Sequence, residues 1–192
     1  MNLLLVGPQG SGKGTQAKRI SAEYGIPHVA TGDMFRAAME AGSPLGRKVQ
    51  PIYDAGELVP DELTIGLIRE RLAEPDARDG FALDGFPRNF AQAAALDAML
   101  SEIGRGLDAI LFFDLPDGLA RERMLKRAQE EERIDDTPDV IDRRLEIYHE
   151  QTAPVVEHYR ATGKLVPLHA ERSVDEVWQE IAEALDQVTV RA

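Results

Sequence analysis

The chain of 192 residues contains no cysteine, which excludes disulfides and every metal site built on thiolate. Positive charge is in short supply. The 22 Lys+Arg against 34 Asp+Glu give a net charge of −12 and a pI near 4.8, which argues against nucleic acid or an anionic membrane as the main partner. Local basic residues are still free to bind a small anion. Long apolar runs are missing too. The N-terminal run covers only residues 3–6 with no basic leader before it, and no stretch approaches the roughly 20 apolar residues of a membrane span. These absences predict a soluble, cytoplasmic protein. The four histidines, His28, His149, His158 and His169, show neither metal-ligand spacing nor a nucleophile partner. No internal repeat is present, and the only biased tract is the short acidic run 130–132. No interface-sized apolar stripe is evident, so a monomer is expected.

The composition is that of an ordinary globular chain, 43% hydrophobic and 29% charged, and the length suits one domain with a sizeable core. Strand-like runs occur at 2–6, 28–30, 80–84, 109–115 and 165–169, each separated from the next by helical spacing. Short strands alternating with helices predict a parallel sheet covered on both faces. The last helix is announced by a capping box, Ser173 with Glu176, followed by Val174, Val177, Trp178, Ile181, Leu185 and Val188 at helical spacing. Thr137-Pro138 opens a second long amphipathic stretch, for which a kink is expected at Pro154. Two segments depart from simple alternation. Residues 31–73 read as helical pieces broken at Gly42-Ser43-Pro44, at Pro51 and at Val59-Pro60, and the charged stretch 126–136 reads as an insertion.

Directly after the first strand, Gly7-Pro8-Gln9-Gly10-Ser11-Gly12-Lys13 matches GxxxxGK and opens a helix. Glycines at these positions let backbone N–H groups curl around phosphate oxygens. The helix N-terminus adds partial positive charge, and Lys13 supplies a mobile cation for the β- and γ-phosphates. The motif departs from its general form at one place. Gly14 follows the lysine, and the hydroxyl expected there arrives one residue later, on Thr15.

With GKGT completing the loop, the chain resembles the nucleoside monophosphate kinases, and the adenylate kinases most closely. The likeness extends to Ala30-Thr31-Gly32-Asp33-Met34-Phe35-Arg36, to Gly56-Glu57-Leu58-Val59-Pro60-Asp61, and to Leu83-Asp84-Gly85-Phe86-Pro87-Arg88 with Gln92. Arg123, Arg127, Arg133 and Arg144 have the spacing of that family's lid arginines. The resemblance implies one P-loop NTPase-type domain over 1–192, with five parallel strands, a monophosphate-binding subdomain at 31–59 and a short lid at 126–136. It also implies the reaction MgATP + AMP ⇌ MgADP + ADP, with Mg²⁺ as cofactor. Only five residues, 128–132, separate Arg127 from Arg133. A lid of that size without cysteine is expected to hold no zinc, since it lacks both a core and the usual ligands.

The family roles fall on individual residues. Gly10, Ser11, Gly12, Lys13, Gly14 and Thr15, with Arg127 and Arg172, are expected to bind ATP. Thr31, Arg36, Glu57, Leu58, Val59, Gly85, Phe86, Pro87, Arg88, Gln92, Arg133 and Arg144 are expected to bind AMP. Lys13, Arg88, Arg123, Arg133 and Arg144 are expected to act on the transferring phosphoryl group. Asp84 is expected to hold Mg²⁺ through water, with Thr15 a second candidate. The chemistry of these residue types agrees with the roles. Guanidinium grips phosphate with a planar fork of donors, and a glutamine amide offers a donor and an acceptor to a base edge. Phosphoryl transfer between two nucleotides asks for positioning and electrostatic stabilisation more than for a strong base. Asp135 and Asp136 are expected to hinge the lid or pair its arginines rather than to take part in the chemistry.

Two other readings compete. A UMP/CMP kinase of the same family shares the short lid, but it carries asparagine-containing base contacts where this chain has Gln92. A P-loop switch that changes partners on nucleotide binding would need a guanine-reading Asn-Lys-x-Asp stretch, which is absent.

Overall fold

Asn2–Val6 (β1) is buried at every position, as a strand must be when it has neighbours on both sides and helices on both faces. In the computed structural model, which describes residues 1–130 and 136–191 with side chains to residue 188, β1 is the centre of a five-stranded sheet. The other strands are His28–Ala30 (β2), Phe81–Asp84 (β3), Ala109–Asp114 (β4) and Leu165–His169 (β5). Their order is β2-β3-β1-β4-β5 and every pairing is parallel. All five expected strands are present, the third beginning one residue later and the fourth ending one residue earlier than the expected 80–84 and 109–115.

Alternation along β1 divides the core. Leu3 and Leu5 face a cluster with Ala17, Ile20, Met124, Ile141, Ile181 and Leu185. Leu4 and Val6 face another with Ile68, Leu96, Val155 and Tyr159. The first cluster is closed by Lys13–Tyr24 (α1), Asp117–Glu130 (α6), Pro138–Ile147 (α7) and Val174–Arg191 (α9). The second is closed by Asp61–Ala73 (α4), Phe90–Glu102 (α5) and Ala153–Arg160 (α8). Between β2 and α4, Thr31–Glu40 (α2) and Pro44–Asp54 (α3) carry a small core of their own, centred on Phe35, Val49 and Val59.

Local signals act where the sequence places them. The Glu176 N–H donates to Ser173 Oγ at 3.3 Å, and the Ser173 N–H donates back to Glu176 Oε2 at 3.0 Å. Thr137 Oγ1 accepts from the Val140 N–H at 3.4 Å to start α7. Pro51 corrects the expectation. It does not break the helix, because α3 runs through it to Asp54, and Pro51 and Arg47, one turn before it, are both exposed. The carbonyl that loses its N–H partner therefore lies on the solvent side. The break expected at Pro154 takes the form of a wide π turn, Tyr148–Thr152, between α7 and α8. That turn accommodates the hydrogen bond Pro154 cannot make to Glu150. Among the described residues no helix is long and apolar enough to cross a membrane.

The chain leaves β1 first toward β2 and β3 and later toward β4 and β5. The strand order therefore reverses at β1, and ligands of open α/β sheets bind at the carboxyl edge beside such a reversal.

Candidate active site

That edge holds a cleft of about 690 Å³. Among the described residues Lys13, Lys18, Arg36, Arg88, Arg123, Arg127, Arg144 and Arg172 line it, against three acids, Asp33, Glu57 and Asp84. In a chain with a net charge of −12 this inverts the local balance and marks the cleft as a place for polyanions.

The floor of the cleft is the loop after β1. Gly10 takes a left-handed φ of 79°, and a Cβ there would stand 2.7 Å from the Ala120 carbonyl oxygen, so only glycine fits both the turn and the approach to α6. Gly12, also left-handed, caps α1 without a side chain, which leaves that helix's first N–H groups for a ligand. Lys13 Nζ folds back over the loop, donating to the carbonyls of Gly7 at 2.8 Å and Pro8 at 2.7 Å and to Ser11 Oγ at 3.3 Å.

Burial lowers the Lys13 pKa to about 8, with Arg88 and Arg127 adding to the effect and Asp84 opposing it. The consequence has two opposite signs. The unfolded chain binds the proton more tightly than the ligand-free fold does. The Lys13 contribution to stability therefore grows as pH rises from about 8 toward 10.5. Phosphate binding requires the charged form. Affinity of the loop for a polyphosphate is therefore expected to fall above pH 8, by up to about tenfold per pH unit, and Lys13→Met should lose both trends when stability and polyphosphate binding are followed by calorimetry across that range.

Asp84 ends β3, which pairs with β1 in the register Leu5 to Asp84. Its Oδ2 lies 3.8 Å from where a Cβ on Gly14 would stand and 3.5 Å from His28 Nε2, an ion-pair distance without an aligned hydrogen bond. Burial works against its ionisation, but His28, Lys13 and Arg88 outweigh that and hold its carboxyl below the usual range. The carboxylate is therefore ionised beside the phosphate loop. Thr15 is exposed at the same cleft.

A second cationic centre follows β3. Gly85 has φ 79°, and a Cβ there would lie 2.6 Å from Thr31 Oγ1. Thr31, 2% exposed, donates instead to the Gly85 carbonyl at 2.8 Å. The Phe86-Pro87 peptide is cis. Arg88 Nε donates to the Gly85 carbonyl at 2.8 Å, and Thr152, delivered by the π turn, donates to the Arg88 carbonyl at 2.8 Å. Among the described residues no carboxylate forms an ion pair with Arg88. Burial lowers its pKa, and the charges of Arg144 and Arg36 add to that against Tyr53 and Asp84. Arg36 bonds the Tyr53 hydroxyl and Asp33, and the Arg144 guanidinium lies over the Tyr53 ring at 5.3 Å. Tyr53, inside α3, thus collects two cleft arginines, and nothing in its sequence neighbourhood separates it from a core aromatic.

Gln92, 2% exposed, lines the cleft with its amide already engaged. Its Oε1 accepts from the Arg88 N–H at 2.8 Å, and its Nε2 donates to Asp61 Oδ1 at 2.8 Å. Glu57, Leu58 and Val59 line the same end. The Glu57 carboxylate accepts from Arg143 at 2.7 and 3.2 Å, and that bond holds its pKa below the usual range.

The remaining arginines are held by other protein groups. Arg123 donates to the carbonyls of Ala170 at 2.7 Å and Glu171 at 3.2 Å, and Arg172 pairs with Glu180 at 2.6 Å. Arg127 and Arg144 share the carboxylate of Asp136, whose side chain is wholly buried. Asp136 therefore pairs two arginines, one of the two roles expected of it, while Asp135 lies outside the described residues. Arg133 and most of the 126–136 stretch beyond Glu130 lie outside the described residues.

The family model of the adenylate kinases matches residues 5–164. Curated proteins named adenylate kinase align along almost the whole chain. That of Xanthomonas campestris pv. campestris (strain 8004) is 48% identical over 185 residues, covering 96% of this chain and 99% of that protein. That of Stenotrophomonas maltophilia (strain K279a) is 45% identical over the same shares. The matched region takes in the phosphate loop, the cationic centre after β3 and the α7 arginines, and on that ground the chain belongs to the adenylate kinase family.

Proposed function

We propose that this protein transfers the γ-phosphoryl group of MgATP to AMP, reversibly, giving two ADP. The supporting observation is a cleft with two separate cationic centres on adjacent strands, the Lys13 loop after β1 and Arg88 with Arg36 and Arg144 after β3. A nucleotide switch needs one phosphate site. Two suit a donor and an acceptor held phosphate to phosphate.

In this reading the loop from Gly10 to Thr15 holds the donor phosphates, and Lys13 exchanges its own loop carbonyls for phosphate oxygens. Arg88 and Arg36 fork onto the AMP phosphate, and Arg123, Arg127, Arg133 and Arg144 offset the charge spread over the transferring group. Asp84 fits Mg²⁺, because it is an ionised carboxylate beside the phosphate loop in a cleft that Thr15 also lines. Mg²⁺ keeps much of its hydration and is bound by one or two carboxylates together with substrate phosphates, a role one such side chain can fill. Such an ion would neutralise nucleotide phosphate charge when bound, and this reading includes no zinc. Residues 31–59 act as the monophosphate subdomain, an assignment supported by their separate small core, and 126–136 as the lid. The protein acts in the cytoplasm as a monomer.

Calorimetric titration with AMP alone tests the acceptor site: binding without ATP is expected, and its absence favours a switch. Base choice rests on Gln92. Gln92→Ala should lose about 1–3 kcal/mol of discrimination between AMP and other monophosphates, the scale of one two-point base contact, and an unchanged preference ratio would remove the assignment. Asn89, the one asparagine beside the signature, caps α5 and donates to Asp61, and unlike Gln92 it does not line the cleft, which leaves Gln92 as the amide placed to meet an acceptor base.

A further inference from the structure

Asp61 is the first residue of α4 and does not line the cleft. Its Oδ1 nonetheless accepts from two side-chain amides, Gln92 Nε2 and Asn89 Nδ2, each at 2.8 Å. Asn89 completes the bracket by accepting the Gln92 backbone N–H at 2.9 Å. On the other side of the Gln92 amide, the Arg88 backbone N–H donates to Oε1 at 2.8 Å. The two neighbours of this amide have opposite chemistry. A carboxylate only accepts and a backbone N–H only donates. Turning the amide over would set its NH₂ against the Arg88 N–H and its oxygen against the Asp61 oxygen, two repulsions inside a 2%-exposed site.

We infer that Asp61 is a specificity-determining positioning residue that fixes which way round the Gln92 amide is presented to the acceptor base. This rests on the reading that Gln92 meets that base. An amide has two N–H donors and two acceptor lone pairs, and the fixed partners occupy one of each. The other N–H and lone pair remain, in an order set by Asp61 and the Arg88 N–H. Adenine presents an amino donor beside a ring-nitrogen acceptor. A 6-oxopurine presents a carbonyl acceptor beside a ring N–H at the same two positions. An amide held in one orientation matches one of these edges and opposes the other, whereas an amide free to turn accepts both. Discrimination between two purines of nearly equal shape therefore depends on a residue that touches neither.

The test compares kcat/KM for AMP and IMP, which differ at that edge, with ATP saturating. Asp61→Asn is isosteric, but asparagine both donates and accepts and so no longer dictates the amide's orientation. Losing the charge-assisted bond should lower the AMP to IMP ratio by about tenfold. The Arg88 N–H retains the remainder. Gln92→Ala should lower the ratio at least as far. If Gln92→Ala reduces the ratio while Asp61→Asn lowers both acceptors in parallel, Asp61 is merely structural and the inference fails alone. If Gln92→Ala leaves the ratio intact, the base is not read by Gln92 and the underlying reading fails with it. Should Asp61→Asn not fold, a through-hydrogen-bond coupling from Gln92 Nε2–H to the Asp61 carboxyl carbon in the unaltered protein carries the test. Observing it supports the lock, and its absence overturns it.

Discussion

Arg88→Ala is expected to lower kcat/KM for AMP about a thousandfold, the scale on which a single guanidinium acts on a transferring phosphoryl group, while ATP affinity changes only a few-fold. The asymmetry follows from the strand ends. Arg88 stands after β3 among Arg36, Arg144 and Tyr53, whereas the ATP loop follows β1 and is organised by its own glycines and by Lys13. Arg88 is held by the Gly85 carbonyl and by no carboxylate among the described residues, so a phosphate has no ion pair to displace. Arg88→Lys should recover little, because an ammonium on a flexible stem cannot fork. Steady-state kinetics with calorimetry of each nucleotide reads both halves, and loss of ATP binding as severe as that of AMP would contradict the assignment.

Asp136→Ala is expected to destabilise the ligand-free protein by about 3–5 kcal/mol, the penalty for removing one partner from a buried charge cluster. The Asp136 side chain has no exposed surface, and Arg127 and Arg144 both bond it; its removal takes away the carboxylate those guanidiniums share. Phosphate oxygens are likewise anionic acceptors that can take a forked pair of guanidinium N–H groups. ATP with AMP should therefore raise the melting temperature of the variant by more than that of the parent. Thermal denaturation with and without nucleotides decides it. Equal nucleotide shifts in the two proteins would mean that Arg127 and Arg144 do not reach phosphate.

The parts of the site legible in the sequence are those in which neighbours along the chain are neighbours in space. The phosphate loop declares itself because strand, glycines, lysine and helix are contiguous, and the capping box at Ser173 and Glu176 lies within one turn. Asp84 could be placed beside that loop once β3 was taken to adjoin β1, as it does through the Leu5 register. Polar partnerships across the fold gave no such signal. Asp61 meets Gln92 and Asn89 from 31 and 28 residues away, and although it closes the stretch from Gly56 that carries the family likeness, nothing local says which side chains it meets. Glu57 and Arg143 stand 86 apart. Arg123, expected to act on the transferring phosphoryl group, lines the cleft, but no sequence signal announces that its guanidinium donates to the Ala170 and Glu171 carbonyls after β5. Nothing local says which acceptor an arginine will find. Pro51 shows the reverse difficulty, a strong local signal overridden because the unpaired carbonyl lies on the solvent side of α3.

The central claim is that one cleft holds a donor and an acceptor nucleotide and passes a phosphoryl group between them. A coupled assay of ADP formation, with ATP and Mg²⁺ present and each nucleoside monophosphate added in turn, tests it most directly. Two ADP per ATP consumed with AMP, little turnover with UMP, CMP or GMP, and almost no ATP loss without an acceptor is the predicted result. Equal rates with a pyrimidine monophosphate, or ATP hydrolysis to inorganic phosphate at a rate indifferent to AMP, would contradict it.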